Sequence, residues 1–350
     1  LDQLEFRALK PAVPYTGTPT IQGESEGAEA AIDGDVATVW RPAHGRGEAV
    51  IDFGAVREFG GLTIEWGEGG APAVFSVEVS DDLQAWRKEP RVRAPGAARS
   101  MVRLPDASAR FVRLGMLRRA EGPLEIAEVK VEPVEFGRST NDMFFADAAR
   151  GRRGMYPKFY SREASYWTVM GIEEDGAEAL MNEEGVIEPA PRVFSVHPIV
   201  EWGGRRLTWE DGRHEQSLED GYLPIPTVTR TMEGVRLEVT AFAAGEVGAS
   251  SLYARYRVTN TGAERGVGRL WLACLPYQVN PPWQGLNKEG GVGKLRSIAQ
   301  GPGGVVVVNG TRRMTPCWDA EPLIAASFEA GGVVDGIMAG RPPREAQAFD

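Results

Sequence analysis

Apolar and polar residues alternate with a period of two along many short stretches of this chain, and that period constrains the fold more than any other feature. Leu62, Ile64 and Trp66 oppose Thr63 and Glu65, while Phe75, Val77 and Val79 oppose Ser76, Glu78 and Ser80. Successive side chains of a strand point to opposite faces, so each stretch reads as a half-buried antiparallel strand. The second half repeats the pattern. Val235, Leu237 and Val239 oppose Arg236 and Glu238, and Leu252, Ala254, Tyr256 and Val258 oppose Arg255 and Arg257. Turn signals separate such runs, among them Gly203-Gly204, Asn260-Thr261-Gly262 and Asn309-Gly310. The 43 Gly and 24 Pro punctuate the runs and do not gather into one linker. No repeat with a period of about 20–50 residues is visible, which argues against a propeller or solenoid. The expected class is all-β.

At 350 residues the chain exceeds what one core usually supports, so two domains of about 100–200 residues each are expected. The best helix signal is Ser139/Thr140 as caps ahead of Asn141 to Arg150, with Gly151 as a stop. It follows Pro133, after which the pattern changes. The division is therefore residues 1–134, a connector at 135–150, and residues 151–350. No apolar run approaches the ~18 residues needed to cross a bilayer, so no membrane span is expected. With a net charge of −10 and basic pairs scattered at Arg118-Arg119, Arg152-Arg153 and Arg205-Arg206, nucleic acid is an unsuitable partner. Cys274 and Cys317 are too few for a disulfide framework or a zinc site. They read as two buried free thiols or as one disulfide within the second domain.

One loop carries chemistry. Asp33, Gly34 and Asp35 form a tight acidic turn, with the Thr38 hydroxyl three residues on. Clustered hard oxygens suit Ca²⁺, which takes six to eight of them. In the stretch Leu124 to Val131, strict alternation places Glu128 on the face of Leu124 and Ile126 unless a bulge intervenes. A buried carboxylate needs a partner. Either a bound cation supplies it, or an Arg such as Arg113 does and the acidic loop is an ordinary Asx turn.

Residues 30 to 40 read Ala-Ala-Ile-Asp-Gly-Asp-Val-Ala-Thr-Val-Trp, followed by Ala49-Val-Ile-Asp-Phe-Gly54. Phe75-Ser-Val-Glu-Val-Ser-Asp-Asp82 with Trp86, Ala109-Arg-Phe-Val-Arg-Leu114 and Ile126-Ala-Glu-Val129 come next. In that order these resemble the discoidin family, also called the coagulation-factor C-domain or galactose-binding-like fold, over roughly residues 13 to 133. The resemblance implies a jelly-roll β-sandwich that binds carbohydrate, with a metal-ligating Glu near its C-terminal end. The implied Ca²⁺ set is Asp33, Asp35, Thr38 and Glu128, with the carbonyl of Ala30. Trp40 and Trp86 fall at core positions of the family. A sugar needs exposed aromatic faces and a few convergent polar groups, and Arg41, His44 and Trp66 are the candidates here. The loop that carries an Arg and an Asn in galactose-binding members reads Gly67-Glu-Gly-Gly-Ala-Pro72 in this chain.

Further on, Tyr166-Trp-Thr-Val-Met-Gly171, Asn182, Gly221-Tyr-Leu-Pro224 and the run Leu252 to Gly262 look like the N-terminal β-supersandwich of glycoside hydrolases and phosphorylases. That fold is mutarotase-like and precedes an (α/α) helical barrel, which holds most of the catalytic carboxylates. The expectation is thus a larger antiparallel supersandwich, with a further catalytic domain beyond residue 350. Tyr222 and Trp283 are candidates to line a carbohydrate cleft, the alternative for Trp283 being a hydrophobic cluster under its loop. Together these readings imply a non-catalytic, carbohydrate-binding front of an exported glycoside hydrolase or phosphorylase. Its partner would be a polysaccharide or oligosaccharide and its location extracellular or periplasmic. Two alternatives stand beside this: an aldose epimerase-like sandwich using His214 or His197 with a carboxylate, and adhesion or scaffold modules without sugar binding.

Overall fold

The computed structural model describes residues 18–42, 46–68, 72–94, 97–117, 124–284 and 290–342. The chain forms two compact units that divide after Arg138. Strands in antiparallel sheets dominate both.

The first unit holds β1 (Thr20–Gly23), β2 (Arg46–Trp66), β3 (Val74–Ser80), β4 (Arg87–Val92), β5 (Arg99–Leu117) and β6 (Ile126–Glu132), followed by α1 (Val134–Arg138). Their order is β1-β2-β5-β3-β4, with β6 also on β2. The two long strands run through both halves of the sheet. Residues 46–52 of β2 pair with 111–117 of β5, while 61–65 pair with 99–103 and with β6. Register shifts between Asp52 and Arg57 and between Phe59 and Gly61 separate the halves, which is how a bulged strand bends. At that bend α1 lies directly on the backbone. A Cβ at Gly60 would sit 2.2 Å from the Pro133 carbonyl, so only glycine fits. The alternation seen in the sequence holds here: Leu62, Ile64, Phe75 and Val77 are fully buried.

The second unit opens with α2 (Thr140–Ala148), whose N-cap is Ser139; its hydroxyl accepts from the Asp142 amide at 3.1 Å. One sheet comprises β7 (Trp167–Met170), β8 (Ala179–Asn182), β9 (Ile187–Ala190), β10 (Phe194–Trp202) and β11 (Arg205–Leu207), with β16 (Gly268–Leu275) on the other side of β10. A second has the order β12 (Arg213–Glu219), β13 (Leu223–Met232), β14 (Val235–Ala244), β15 (Ser251–Asn260). These two pack face to face, Met181, Ile187 and Val200 of the first meeting Val228, Leu237 and Val239 of the second. A small sheet of β17 (Ile298–Gln300), β18 (Val306–Val308) and β19 (Arg312–Met314) adds Val308 to Phe194 and Val196, and α3 (Val333–Met338) follows it. Both cysteines are free thiols. Cys274 is partly covered and meets the Met314 sulfur at 4.0 Å, but Cys317 is exposed, which corrects its reading as a buried group.

Candidate functional site

A two-residue bridge builds the site at one end of the first unit. Trp40 donates to the Ile126 carbonyl at 2.9 Å and accepts from the Ile126 amide at 3.1 Å. This ties the segment 24–42 to the start of β6. The Trp40 indole is 1% exposed and donates to Ser25 Oγ at 3.0 Å. Gly23 makes room for it, since a Cβ there would lie 2.2 Å from the ring.

The bridge sets the acidic loop beside Glu128, by a route that differs from strict alternation. Glu65 pairs with Glu128 but Trp66 pairs with Ile126, so Ala127 is the extra residue of a bulge. The phase flips across it. Ile126 and Val129 are buried, whereas Glu128 is half-buried on the face it shares with Glu65. There Glu128 Oε2 accepts from the Gly34 amide at 2.9 Å. Arg113 is engaged elsewhere, with Glu78 at 2.7 Å and its guanidinium 4.0 Å over the Trp86 ring.

Inside the loop the oxygens outnumber the hydrogens. Thr38 Oγ1 lies 2.8 Å from Asp33 Oδ2, 2.8 Å from the Asp35 carbonyl and 3.4 Å from the Ala30 carbonyl. One hydroxyl has one hydrogen to donate, so it serves a single acceptor fully. Asp35 turns its carbonyl, not its carboxylate, toward this group; the carboxylate accepts from Ala37 N at 2.9 Å in an Asx turn. Asp33 Oδ1 accepts from Asp35 N at 2.8 Å. That hydrogen bond and the one from Thr38 hold Asp33 below the usual carboxylate range. Glu128 is pushed upward, first by burial and then by the neighbouring Asp33 and Glu65 charges, against the pull of the Gly34 amide. Hard oxygens with excess negative charge are the donor set of a hard cation. The set relies on carbonyls: among the described residues no group of three or more His, Cys, Asp or Glu side chains is placed to hold a metal.

On the other side of the bridge, Arg41 Nε meets Glu125 Oε1 at 2.8 Å. The Glu125 side chain is 8% exposed and the Arg41 side chain 60% exposed. A buried carboxylate therefore fixes the plane of a guanidinium that faces solvent. Sequence reasoning passed over Glu125; its signal was a charged residue between Leu124 and Ile126, adjacent to the same strand start.

The other expected sugar contacts fare differently. Trp66 is 4% exposed, packs at a tilt against Phe75 at 5.5 Å and donates to Ser100 Oγ at 2.9 Å, so it is core and presents no face to a sugar. His44 lies outside the described residues. In the second unit, Tyr222 is exposed at the turn between β12 and β13, after Gly221 at φ 79°. Trp283 is 51% exposed and stacked on Phe145 at 6.0 Å, at the rim of an aromatic cluster with Phe159 and Tyr160. No ring contact brings Tyr222 and Trp283 together among the described residues. His197 is buried against Ser195 Oγ at 2.8 Å, and burial pushes it down to about 3. Both ring nitrogens of His214 face backbone carbonyls, Glu183 at 3.1 Å and Trp209 at 2.7 Å. A neutral imidazole has a single N–H, so it donates to one of these two carbonyls.

Among the described residues no helix is long and apolar enough to cross a membrane. No curated protein matches this chain. Among solved structures, it is similar to the family 32 CBM of NanJ from Clostridium perfringens, solved in complex with galactose, at 19% identity over 34% of this chain and 96% of that one, with a TM-score of 0.31. It is also similar to chitosan-binding module 2 of a chitosanase/glucanase from Paenibacillus sp. IK-5, solved with chitotriose, at 22% identity over 34% and 98%, TM-score 0.30. The family model for the F5/8 type C domain matches residues 16–129, and that stretch of the chain is a domain of this type.

Proposed function

We propose that the first unit is a carbohydrate-binding module, and that the chain is a non-catalytic, sugar-binding part of an exported glycan-degrading protein. The observation that carries this reading is the Arg41–Glu125 pair: an exposed guanidinium locked through Nε by a buried carboxylate at 2.8 Å. Its remaining N–H groups are held in one plane and are free to bracket sugar hydroxyls, a geometry that costs little entropy on binding. Replacing Arg41 with Ala should abolish retardation in affinity gels cast with galactan or chitosan. Equal retardation of the wild type and the variant in every gel would remove the reading.

The same end holds a structural Ca²⁺ in this proposal. The ligands are the carbonyls of Ala30 and Asp35, the Thr38 hydroxyl, and the carboxylates of Asp33 and Glu128. The fit rests on the Thr38 hydroxyl standing among three oxygens with one hydrogen to give. The ion's chemistry would be to neutralise the carboxylates and brace the loop that carries Arg41. Calorimetric titration with Ca²⁺ should show saturable heat for the wild type and none for Asp33→Ala. The second unit, in this reading, is the supersandwich that precedes a catalytic barrel, with Tyr222 and Trp283 as surface contacts for the same polysaccharide; loss of gel retardation in Trp283→Ala would test that role.

A further inference from the structure

Two neighbouring strands of the second unit behave differently. In β14 the inward residues Val235, Leu237, Val239 and Ala241 are all 0–1% exposed. Their register partners on β15 are Asn260, Val258, Tyr256 and Ala254, with Leu252 opposite Ala243. Here Val258 is 40% exposed, Ala254 is exposed, and Leu252 and Tyr256 are only half-covered although they pack on the main core. A core position that faces solvent marks an unfinished layer. These residues line a cleft of about 2380 Å³, which Leu270 and Leu272 of β16 also border.

Among the described residues the edge itself is open: β15 pairs only with β14, through ten consecutive residue pairs without a register shift. Other sheet edges among the described residues are blunted in the ways that discourage strand pairing. β1 and β7 have four residues and β11 three, while β12 and β4 are joined across register shifts. The edge of β16 is partly covered, because Arg269 pairs with Glu321 at 3.1 Å and Cys274 meets Met314. Among the described residues no strand covers the free edge of β15, and only Tyr256 also packs toward the Phe194–Val308 cluster. A straight edge of this length presents a row of N–H and C=O groups that another strand can pair.

Charge specifies the kind of strand. The outward face of β15 carries Arg255 and Arg257, both exposed. The nearest acid across the sheet is Glu238, register partner of Arg257, and it already lies 3.8 Å from Arg236. Among the described residues neither Arg255 nor Arg257 forms an ion pair. Self-pairing of two β15 edges would bring four arginines together, which disfavours a second copy as the occupant. The geometry points to a strand-addition site on β15. An extended segment of another polypeptide, alternating apolar and acidic residues, completes the sheet, its apolar side chains covering Leu252, Tyr256 and Val258 and its carboxylates meeting Arg255 and Arg257.

The test uses the whole chain and two capped ten-residue peptides, one alternating valine with glutamate and one valine with lysine, read by fluorescence anisotropy. The glutamate peptide should bind saturably and at least tenfold more tightly than the lysine peptide. The double variant R255E/R257E, whose outward positions are exposed and whose fold is checked by circular dichroism, should reverse that order. Hydrogen exchange should show the new protection at β15. Equal affinity for both peptides, no saturable binding, or protection confined to β16 would overturn the proposal. So would a dimer in sedimentation velocity that protects β15 without peptide, since the occupant would then be a second copy.

Discussion

Glu128 in the first unit and Glu184 in the second are both carboxylates pushed upward by burial, yet their surroundings make them opposite kinds of group. Around Glu128 stand two more carboxylates, Asp33 and Glu65, the latter paired with Arg99 at 2.9 Å, and one donor to Glu128 itself, the Gly34 amide. Around Glu184 stand cations. Lys158 donates its amide to Oε1 at 2.9 Å, its ammonium pairs with Glu183, and the buried Arg230 donates to the Glu184 carbonyl at 2.7 Å. The comparison teaches that burial does not mark a ligand site. What separates the two is their company: Glu184 has the Lys158 and Arg230 charges beside it within the fold and reads as architecture, although its own Oε2 has no hydrogen-bond partner among the described residues.

The largest effect should come from breaking the side that has its own cations. Arg230 is 2% exposed and also donates to the Pro198 carbonyl at 3.2 Å. Arg230→Met leaves two carbonyls and Glu184 without their cation, and should lower unfolding free energy by about 3–5 kcal/mol. A urea midpoint unchanged from the wild type would show that the cluster is not held by charge. Next is Glu184→Gln. Burial moves this carboxyl from its ordinary 4.5 up to about 7. The folded state thus holds a proton that the unfolded state has lost, and stability falls as pH rises from 4.5 through 7. The variant should flatten that slope and be more stable than the wild type at pH 8, by up to about 3 kcal/mol. Urea midpoints at pH 5 and pH 8 measure it.

The cation-poor side should respond to an ion instead. If Ca²⁺ fills the loop, the wild type gains about 2.7 kcal/mol at a hundredfold excess over its dissociation constant. Glu128→Gln should lose most of that gain while keeping its stability in chelator, because the change also removes repulsion from Asp33 and Glu65. Thermal midpoints with Ca²⁺ and with chelator separate the two states. A variant that loses stability equally in both would place Glu128 with Glu184 among the structural carboxylates.

How much of this was legible depends on whether one strand's pattern suffices. Leu62, Ile64 and Phe75 declare their burial through alternation alone, and the cap at Ser139 is local chemistry. Trp66 was equally legible: it alternates in phase with Leu62 and Ile64, and that phase outweighs its place at a strand end. Glu128 was legible as a partner of the acidic loop but not in its face, because the bulge at Ala127 follows from pairing with β2. Glu125 needed the Trp40–Ile126 bridge, a contact between residues far apart in sequence. The exposure of Val258 could not be read either. Its run alternates as cleanly as that of β14, and only the missing neighbour distinguishes them.

The smallest effect bears on the hydroxyl at the centre of the loop. Thr38→Val keeps the branched shape and removes one oxygen that lies within reach of Ala30, Asp33 and Asp35. In chelator the loss is one exposed hydrogen bond, about 0.5–1.5 kcal/mol. With Ca²⁺ the loss should be larger, because the ion loses a ligand along with the loop's internal bond. The midpoint difference between the two conditions is therefore the informative quantity. If Thr38→Val shifts both midpoints alike, the hydroxyl acts only within the turn, and the contrast between a cation-poor loop and a core with its own cations would have to rest on Glu128 alone.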